Sequence, residues 1–196
     1  MGHPSAPSRA ARPLLAALAA SVALGLAAAG CGDRSLVLTV NLLSFLDPSQ
    51  VTQAYGPIPA GVVATNIDIA SEEVNLLEGL GDAVDVESAS LRLGVRFENQ
   101  TGSATGTLSV HIAPADSLDP YSVPPIVDVP VTLVPNDTTH IATEVASSPA
   151  LAAALTQSRA RVAVRVSFDT TGSPAVLQGT ETIEELTAIV VTKRSL

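Results

Sequence analysis

Few side chains in this sequence have the type and spacing that catalysis or tight metal binding requires. The histidines are His3, His111 and His140. His111 and His140 are far apart in the chain, and no cysteine lies near either of them, so they do not form a zinc-binding spacing. His111 falls on the outward positions of an alternating apolar and polar stretch. We therefore predict that His111 and His140 are solvated surface side chains.

Two glycine-containing segments lack the residues that would make them reactive. Residues 102–106, GSATG, have glycines at both ends but not the central serine of a G-x-S-x-G nucleophile elbow. Gly79-Leu80-Gly81 lacks the third glycine of a dinucleotide-binding loop and follows an acidic stretch that would repel phosphate. We interpret residues 102–106 as a hairpin tip, and we predict a protein that is not an enzyme and has no cofactor.

An acidic segment spans residues 72–87, EEVNLLEGLGDAVDVE. Its carboxylates are oxygen ligands of the kind that hold calcium between loops of adhesive sandwich domains. No EF-hand spacing is present, so a solvated acidic face is the favoured interpretation and a calcium-dependent adhesive module is an alternative. The acidic residues are Glu72, Glu73, Glu78, Asp82, Asp85 and Glu87.

Two predicted strands each carry a pair of arginines four residues apart. The pairs are Arg92 with Arg96 and Arg161 with Arg165. If these strands are neighbours, four guanidinium groups meet on one outward face, and like charges directly opposite each other are destabilising. Intervening carboxylates or an acidic partner would relieve the repulsion. A surface ion-pair network is the favoured interpretation, and a contact site for an anionic polymer or protein partner is the alternative.

The only cysteine, Cys31, stands two residues after an uncharged run that extends from Leu14 to Ala29. The basic residues Arg9 and Arg12 precede that run. A basic region, a short apolar region and small residues at its end are typical of a secretory signal peptide. The run is too short and too rich in alanine to favour a membrane-spanning helix.

Ala28-Ala29-Gly30-Cys31 resembles the lipobox of bacterial lipoproteins, although Ala28 stands where leucine is commonest. The resemblance implies cleavage before Cys31, attachment of diacylglycerol to its thiol, and acylation of the new amino group. Two or more acyl chains hold a protein stably on a membrane. Gly32 stands where an aspartate would signal retention in the inner membrane, so the resemblance implies the outer membrane. The alternative is an ordinary secretory signal followed by a free cysteine.

Processing at Cys31 would leave residues 31–196, enough for one domain. It would leave eight basic residues against 19 acidic ones, a net charge of −11. This balance argues against a nucleic-acid partner and against adhesion to anionic head groups. The predicted organisation is a signal peptide (1–30), a lipidated cysteine with a tether (31–35) and one domain (36–196). The tether reaches at most roughly 14 Å when extended.

Most of that domain alternates apolar and polar residues, which is the pattern of half-buried strands. Leu91–Phe97 and Thr107–Ala113 are predicted to pair as a hairpin, and Pro130 places residues 126–134 at an edge or a bulge. Residues 36–46, apolar on both faces, are predicted to be a central strand, and residues 48–61 a loop. Ser148 and Pro149 begin a short predicted helix. The other predicted strands are residues 66–69, 84–87, 161–169 and 180–192.

These elements predict an all-β fold: a single antiparallel β-sandwich of immunoglobulin-like architecture, with seven or eight strands and one short helix. Residues 91–102, LRLGVRFENQTG, are faintly similar to sandwich domains of the late-embryogenesis-abundant type, with Gln100 in place of their usual proline. With the lipobox, the fold indicates a lipid-anchored cell-envelope lipoprotein that acts as a structural or binding module for an envelope protein or polymer. A carrier of a small apolar ligand such as a lipid is the alternative.

Overall fold

Nine strands form two antiparallel sheets in the computed structural model, which describes residues 34–71, 73, 85–157 and 159–194. These strands are β1 Arg34–Asn41, β2 Thr52–Ile58, β3 Thr65–Ala70, β4 Asp85–Thr101, β5 Ala104–Pro114, β6 Val127–Leu133, β7 Asp137–Val145, β8 Ala160–Asp169 and β9 Leu177–Arg194. In the first sheet β1 and β2 both lie along β9, followed by β4 and then β7. The second sheet has the order β3-β8-β5-β6. The predicted all-β antiparallel sandwich is therefore confirmed, with nine strands in its described part.

The helical segments are short. The four-residue α1 spans Pro48–Val51, and the predicted helix is α2, Pro149–Leu155. The Ser148 hydroxyl accepts a hydrogen bond from the Leu151 amide at 3.0 Å, which satisfies one of the amides that the first helical turn leaves unpaired. Turns of 3-10 helix cover Leu42–Phe45 and Pro120–Ser122.

Alternating residues of β4, β5, β8 and β9 fill the space between the sheets. Leu91, Leu93, Val95 and Phe97 are fully buried, as their spacing predicts. The rings of Phe97, Tyr55 and Phe168 meet there, with centroids 5.3 to 6.4 Å apart. Burial of each such side chain stabilises the fold by roughly 1.5–3 kcal/mol.

The predicted hairpin between β4 and β5 is wrong. The two strands belong to different sheets, so the link Gly102-Ser103 crosses from one sheet to the other. Gly102 has φ +71°, and a Cβ there would lie 2.6 Å from the Val176 carbonyl oxygen. Both strands present apolar residues to the same interior, and alternation identifies that buried face but not the strand that pairs with it.

Two predictions near the N-terminal side of the domain are also wrong. Residues 36–46 do not form a central strand, because β1 lies at the edge of its sheet and ends at Asn41. Residues 48–61 are not a loop, because β2 pairs Thr52–Tyr55 with β9. The register of this pairing shifts between Tyr55 and Ile58, and the Gly56-Pro57 bond there is cis. Proline is tolerated here because β2 lies at an edge of the sheet.

Of the edge strands β6 and β7, the sequence predicts only β6. Pro130 lies on β6, which is an edge strand of the second sheet, as predicted. β7 was not predicted at all. Its inward residues are only half-buried, and many of its positions are threonine or charged, so its sequence lacks a clear apolar alternation. It nevertheless pairs with β4 in unbroken register from Asp137 to Val145.

Candidate functional site

A group of polar side chains in mutual contact lies on the outer face of the second sheet, under residues 115–126. We call this segment the strap. β3, β8 and β5 are adjacent there, so that Asp68 lies opposite Arg165 and Arg165 opposite Ser109. The 3-10 turn Pro120–Ser122 lays Tyr121 across them. The strap cluster consists of Asp68, Ser109, His111, Tyr121 and Arg165.

Arg165 is held on two sides within the strap cluster. Its Nε and Nη2 donate to the two carboxylate oxygens of Asp68 at 2.7 and 2.8 Å. Its Cζ lies 3.9 Å from the centroid of the Tyr121 ring, which is cation–π geometry. The hydrogen bonds to Asp68 raise the pKa of Arg165 above its ordinary value. Arg165 thus binds β8 to β3 and to the strap.

His111 is buried beneath the strap, with 5% of its surface exposed, so the prediction of a solvated side chain is wrong. Its Nδ1 lies 2.9 Å from the Val123 carbonyl oxygen, and its Nε2 lies 3.1 Å from the Ser109 hydroxyl oxygen. Because the carbonyl only accepts, we assign the proton to Nδ1, and the Ser109 hydroxyl then donates to Nε2. Alternation placed His111 on the outer face correctly, but no local pattern indicates that the strap covers it.

The Ser109–His111 contact has the distance of a nucleophile and its general base. The group that orients the imidazole is a backbone carbonyl rather than a carboxylate. Ser109 and His111 are buried, and the Tyr121 ring packs edge-on against the imidazole with centroids 5.6 Å apart. The arrangement fastens the strap to β5. Burial raises the pKa of Tyr121, whose buried hydroxyl has no hydrogen-bond partner among the described residues.

Arg92 and Arg96 lie on the outer face of the other sheet, so the four predicted arginines do not meet. Arg92 Nε lies 3.2 Å from Glu144 Oε2, and Arg96 Nε lies 2.8 Å from Glu184 Oε1. Arg96 also pairs with Glu98 on its own strand.

An ion-pair network is therefore present at Arg92 and Arg96, and in a separate place at Arg165. Exposed pairs of this kind contribute about 0–1 kcal/mol each. Arg161 has no ion pair within the described part of the chain. His140 is exposed, as predicted, with Nδ1 3.8 Å from Glu184 Oε2.

Glu181 is a buried carboxyl group that the sequence reasoning missed. It is 1% exposed, and on β9 it lies opposite Gln53 of β2 and Phe97 of β4. Its Oε1 accepts a hydrogen bond from Gln53 Nε2 at 3.0 Å, whereas Oε2 has no partner among the described residues. Burial raises the pKa of Glu181 to about 7, against a smaller lowering by Gln53. The alternation that places Ile183 inward also places Glu181 inward, and this signal was available in the sequence.

A polar group accompanies Glu181 in the interior. The Tyr55 hydroxyl donates to Asn99 Oδ1 at 3.3 Å, and Asn99 Nδ2 donates to the carbonyl oxygens of Gly102 and Val134 at 2.8 and 2.7 Å. Burial, with a smaller effect of Glu181, raises the pKa of Tyr55. Asn99 thereby ties the link between β4 and β5 to the link between β6 and β7.

The acidic segment lies largely outside the described residues, which include Glu73, Glu87 and the backbone of Asp85. Glu73 forms an ion pair with Arg159. Within the described ranges no three His, Cys, Asp or Glu side chains are placed to hold a metal ion. Cys31 also lies outside the described residues. None of the helices in the described part is long and apolar enough to cross a membrane.

Two open grooves, of about 540 and 580 Å³, flank Glu73. The first includes charged side chains in its wall, and the second runs beside the turn Leu42–Phe45 and α1. Their linings are Glu73, Pro114, Ala115, Asp116, Gln157 and Arg159 for the first, and Ser44, Phe45, Leu46, Asp47, Gln50, Ala70 and Glu73 for the second.

Comparison with known proteins gives no family. No family model matches the chain, and no curated protein matches it. Among solved structures, that of infectious bursal disease virus Gx strain is 12% identical to this chain, with a TM-score of 0.44. The match covers 83% of this chain and 32% of the viral chain. The structure of the Gt strain is 11% identical with a TM-score of 0.43, and the match covers 82% of this chain and 36% of the viral chain. The chain spans about a third of the length of these viral chains, and nothing about its function follows from similarity at this level.

Proposed function

We propose that this protein is a lipid-anchored lipoprotein of the bacterial cell envelope, whose sandwich is a structural or binding module. The observation that carries the proposal is the tetrapeptide Ala28-Ala29-Gly30-Cys31 at the end of an uncharged run that follows Arg9 and Arg12. A signal peptide directs the chain out of the cytoplasm, and acyl chains on Cys31 would then retain it at a membrane.

The position of the first strand supports the proposal. β1 begins at Arg34, so only Gly32 and Asp33 separate Cys31 from the first residue of a sheet. The anchor would be joined to the folded domain almost directly. A short connection of this kind suits a component held at the membrane better than one that must reach far from it.

The composition of the core is also consistent with an exported domain that uses no disulfide. Cys31 is the only cysteine, and lipidation would consume it. The stability of the domain then depends on apolar burial between the sheets, where the largest fully buried side chains include Tyr55, Phe97 and Phe168.

The module's partner is proposed to be an envelope protein or polymer. The alternative of an anion site at Arg92, Arg96, Arg161 and Arg165 is disfavoured, because the two pairs lie in different sheets. All but Arg161 already contact a carboxylate of the same chain. We do not propose the apolar-ligand carrier or the calcium-dependent module, because each lacks a supporting observation among the described residues.

The test is to express the full chain in a bacterium that processes lipoproteins, with an alkyne-tagged fatty acid in the medium. The wild type should take up the tag, be cleaved and sediment with membranes, whereas Cys31→Ala should take up no tag and be either uncleaved or soluble. Gly32→Ala, one residue further on, is the matched control and should behave as the wild type does. Uptake of the tag by Cys31→Ala, or membrane association together with cleavage equal to those of the wild type, would contradict the proposal.

A further inference from the structure

We infer that the start of β1 lies in the head-group region of the bilayer, with Leu36 and Val37 in contact with lipid. The inference rests on the proposed lipidation of Cys31 and adds to it an orientation of the domain on the membrane. The occupant of this surface is the lipid bilayer itself.

The length of chain between the anchor and β1 limits where the strand lies. Cys31 and Arg34 are three peptide units apart, so their Cα atoms are at most roughly 11 Å apart, because consecutive Cα atoms are about 3.8 Å apart. Leu36 and Val37 follow within roughly 7–10 Å along the strand, at about 3.3 Å per residue. An acylated Cys31 at the membrane surface would therefore hold both side chains close to the lipid.

These side chains are suited to that position. Leu36 is 49% exposed and Val37 61% exposed. Because successive residues of a strand point to opposite faces, both faces of the sheet edge are apolar at this end. Exposed apolar groups of this kind mark contact surfaces when another observation supplies the partner, and here the adjacent anchor supplies it.

The backbone of β1 limits the depth of insertion. Among the described strands only β9 pairs with β1, so the other side of β1 offers N–H and C=O groups that no described strand satisfies. Unpaired backbone groups are excluded from the hydrocarbon but are satisfied by water and head groups. The strand therefore lies at the head-group level and does not enter the hydrocarbon core.

The net charge of the chain favours an apolar contact with lipid over an electrostatic one. The processed chain would carry a net charge of −11, which opposes electrostatic attraction to anionic lipid. Exposed apolar side chains such as Leu36 and Val37 provide a contact that this charge does not oppose.

The structure offers a matched control at Val63. This valine is 70% exposed, and its neighbour Val62 accepts a hydrogen bond from the Thr170 amide, just after β8 ends. The Thr170 hydroxyl donates to the carbonyl oxygen of Pro59, which follows Ile58, and Ile58 pairs with Leu177 at the start of β9. Thr192, whose hydroxyl donates to the Leu36 carbonyl oxygen, lies near the other end of β9. Val37 and Val63 are thus the same residue type, both exposed, at opposite ends of the strands.

The experiment uses two full-chain variants, Val37→Cys and Val63→Cys, each processed in a lipoprotein-producing bacterium and labelled with the polarity-sensitive dye NBD. The labelled proteins are placed in phosphatidylcholine vesicles that contain nitroxide-labelled lipid. We expect a blue shift and quenching of the dye at position 37, and neither at position 63. The wild type should take no dye, because acylation blocks Cys31.

The failures are distinguishable. If the wild type excludes the dye but position 37 is neither shifted nor quenched, the inference is overturned and the lipid anchor stands. A blue shift at position 37 in detergent without vesicles, unchanged by nitroxide lipid, would mean that a protein strand covers β1 and would also overturn it. Dye on Cys31 of the wild type would remove the anchor, and both proposals would fail.

Discussion

Glu181 should make the stability of the folded domain fall as the pH rises from about 4.5 to about 7. Its pKa is about 7 in the fold, against an ordinary value of 4.5. Below the lower value both folded and unfolded chains hold the proton, and the stability is fully present. Between the two values the unfolded chain ionises first, so folding is opposed increasingly until the pKa of the folded state is reached. Above it the loss is complete and constant.

The size of the loss follows from the two pKa values. A tenfold difference in proton affinity is worth about 1.4 kcal/mol, so the interval from 4.5 to about 7 corresponds to roughly 3 kcal/mol. Solvent screening does not reduce this figure much, because only 1% of Glu181 is exposed and Oε2 has no partner among the described residues. Glu181→Gln keeps the shape and the contact to Gln53 but removes the ionisation.

The assay is urea denaturation of the processed protein in mild detergent at several pH values from 4.5 to 8.5. We expect Glu181→Gln to match the wild type at the acidic end and to exceed its free energy of unfolding by roughly 3 kcal/mol above pH 7. Glu185→Gln, at an exposed position of the same strand, is the control and should show no growing difference. The reasoning is refuted if the Glu181→Gln difference is independent of pH, or if Glu185→Gln reproduces it.

Three further predictions concern other parts of the chain. His111→Ala should lower the free energy of unfolding by roughly 1–3 kcal/mol, because it leaves the buried Ser109 hydroxyl and the Val123 carbonyl without their partner. The exposed His140→Ala is the control and should change this free energy little. Equal effects of the two variants in urea denaturation would contradict the buried contacts. Gly102→Ala should lower the melting temperature, because φ is +71° and the added Cβ would lie 2.6 Å from the Val176 carbonyl oxygen. Gly172→Ala is the control and should leave the melting temperature unchanged, because a Cβ there meets no atom within 4 Å. Gly32→Asp should move the protein from the outer to the inner membrane in density-gradient fractionation, and an unchanged distribution would argue against the sorting rule.

The parts of the fold that were predictable depend on local sequence alone. The alternation of Leu91–Phe97 identified the buried face, and Ser148 with Pro149 identified the start of α2. Pro130 placed β6 at an edge, because it has no N–H to donate to a second neighbour. Each of these signals comes from residues close together in the chain.

The pairing of strands depends on distant residues, and so it could not be predicted. The link at Gly102 was expected to join a hairpin, but β4 pairs with β7 and β9, and β5 pairs with β6 and β8. The short turn is compatible with both arrangements, because either one buries the same apolar face. What decides between them is the packing of the two sheets.

The candidate site shows the same division. Carboxylate partners were correctly predicted for Arg92, Arg96 and Arg165 but not for Arg161. The two pairs of arginines lie on different sheets and do not meet. The burial of His111 depends on the strap, a segment without regular alternation whose course no local pattern indicates. Glu181, in contrast, was predictable from its position two residues before Ile183, provided that the register of β9 was assigned first.

The central claim is that Cys31 carries the lipid that holds this protein in the envelope. Intact mass spectrometry of the protein purified from the membranes of the producing cells tests it most directly. We predict a chain that begins at Cys31 and has the added mass of a diacylglycerol and, where the amino group is acylated, of a further acyl chain. A chain that begins at another residue, or a Cys31 with a free thiol, would contradict the claim.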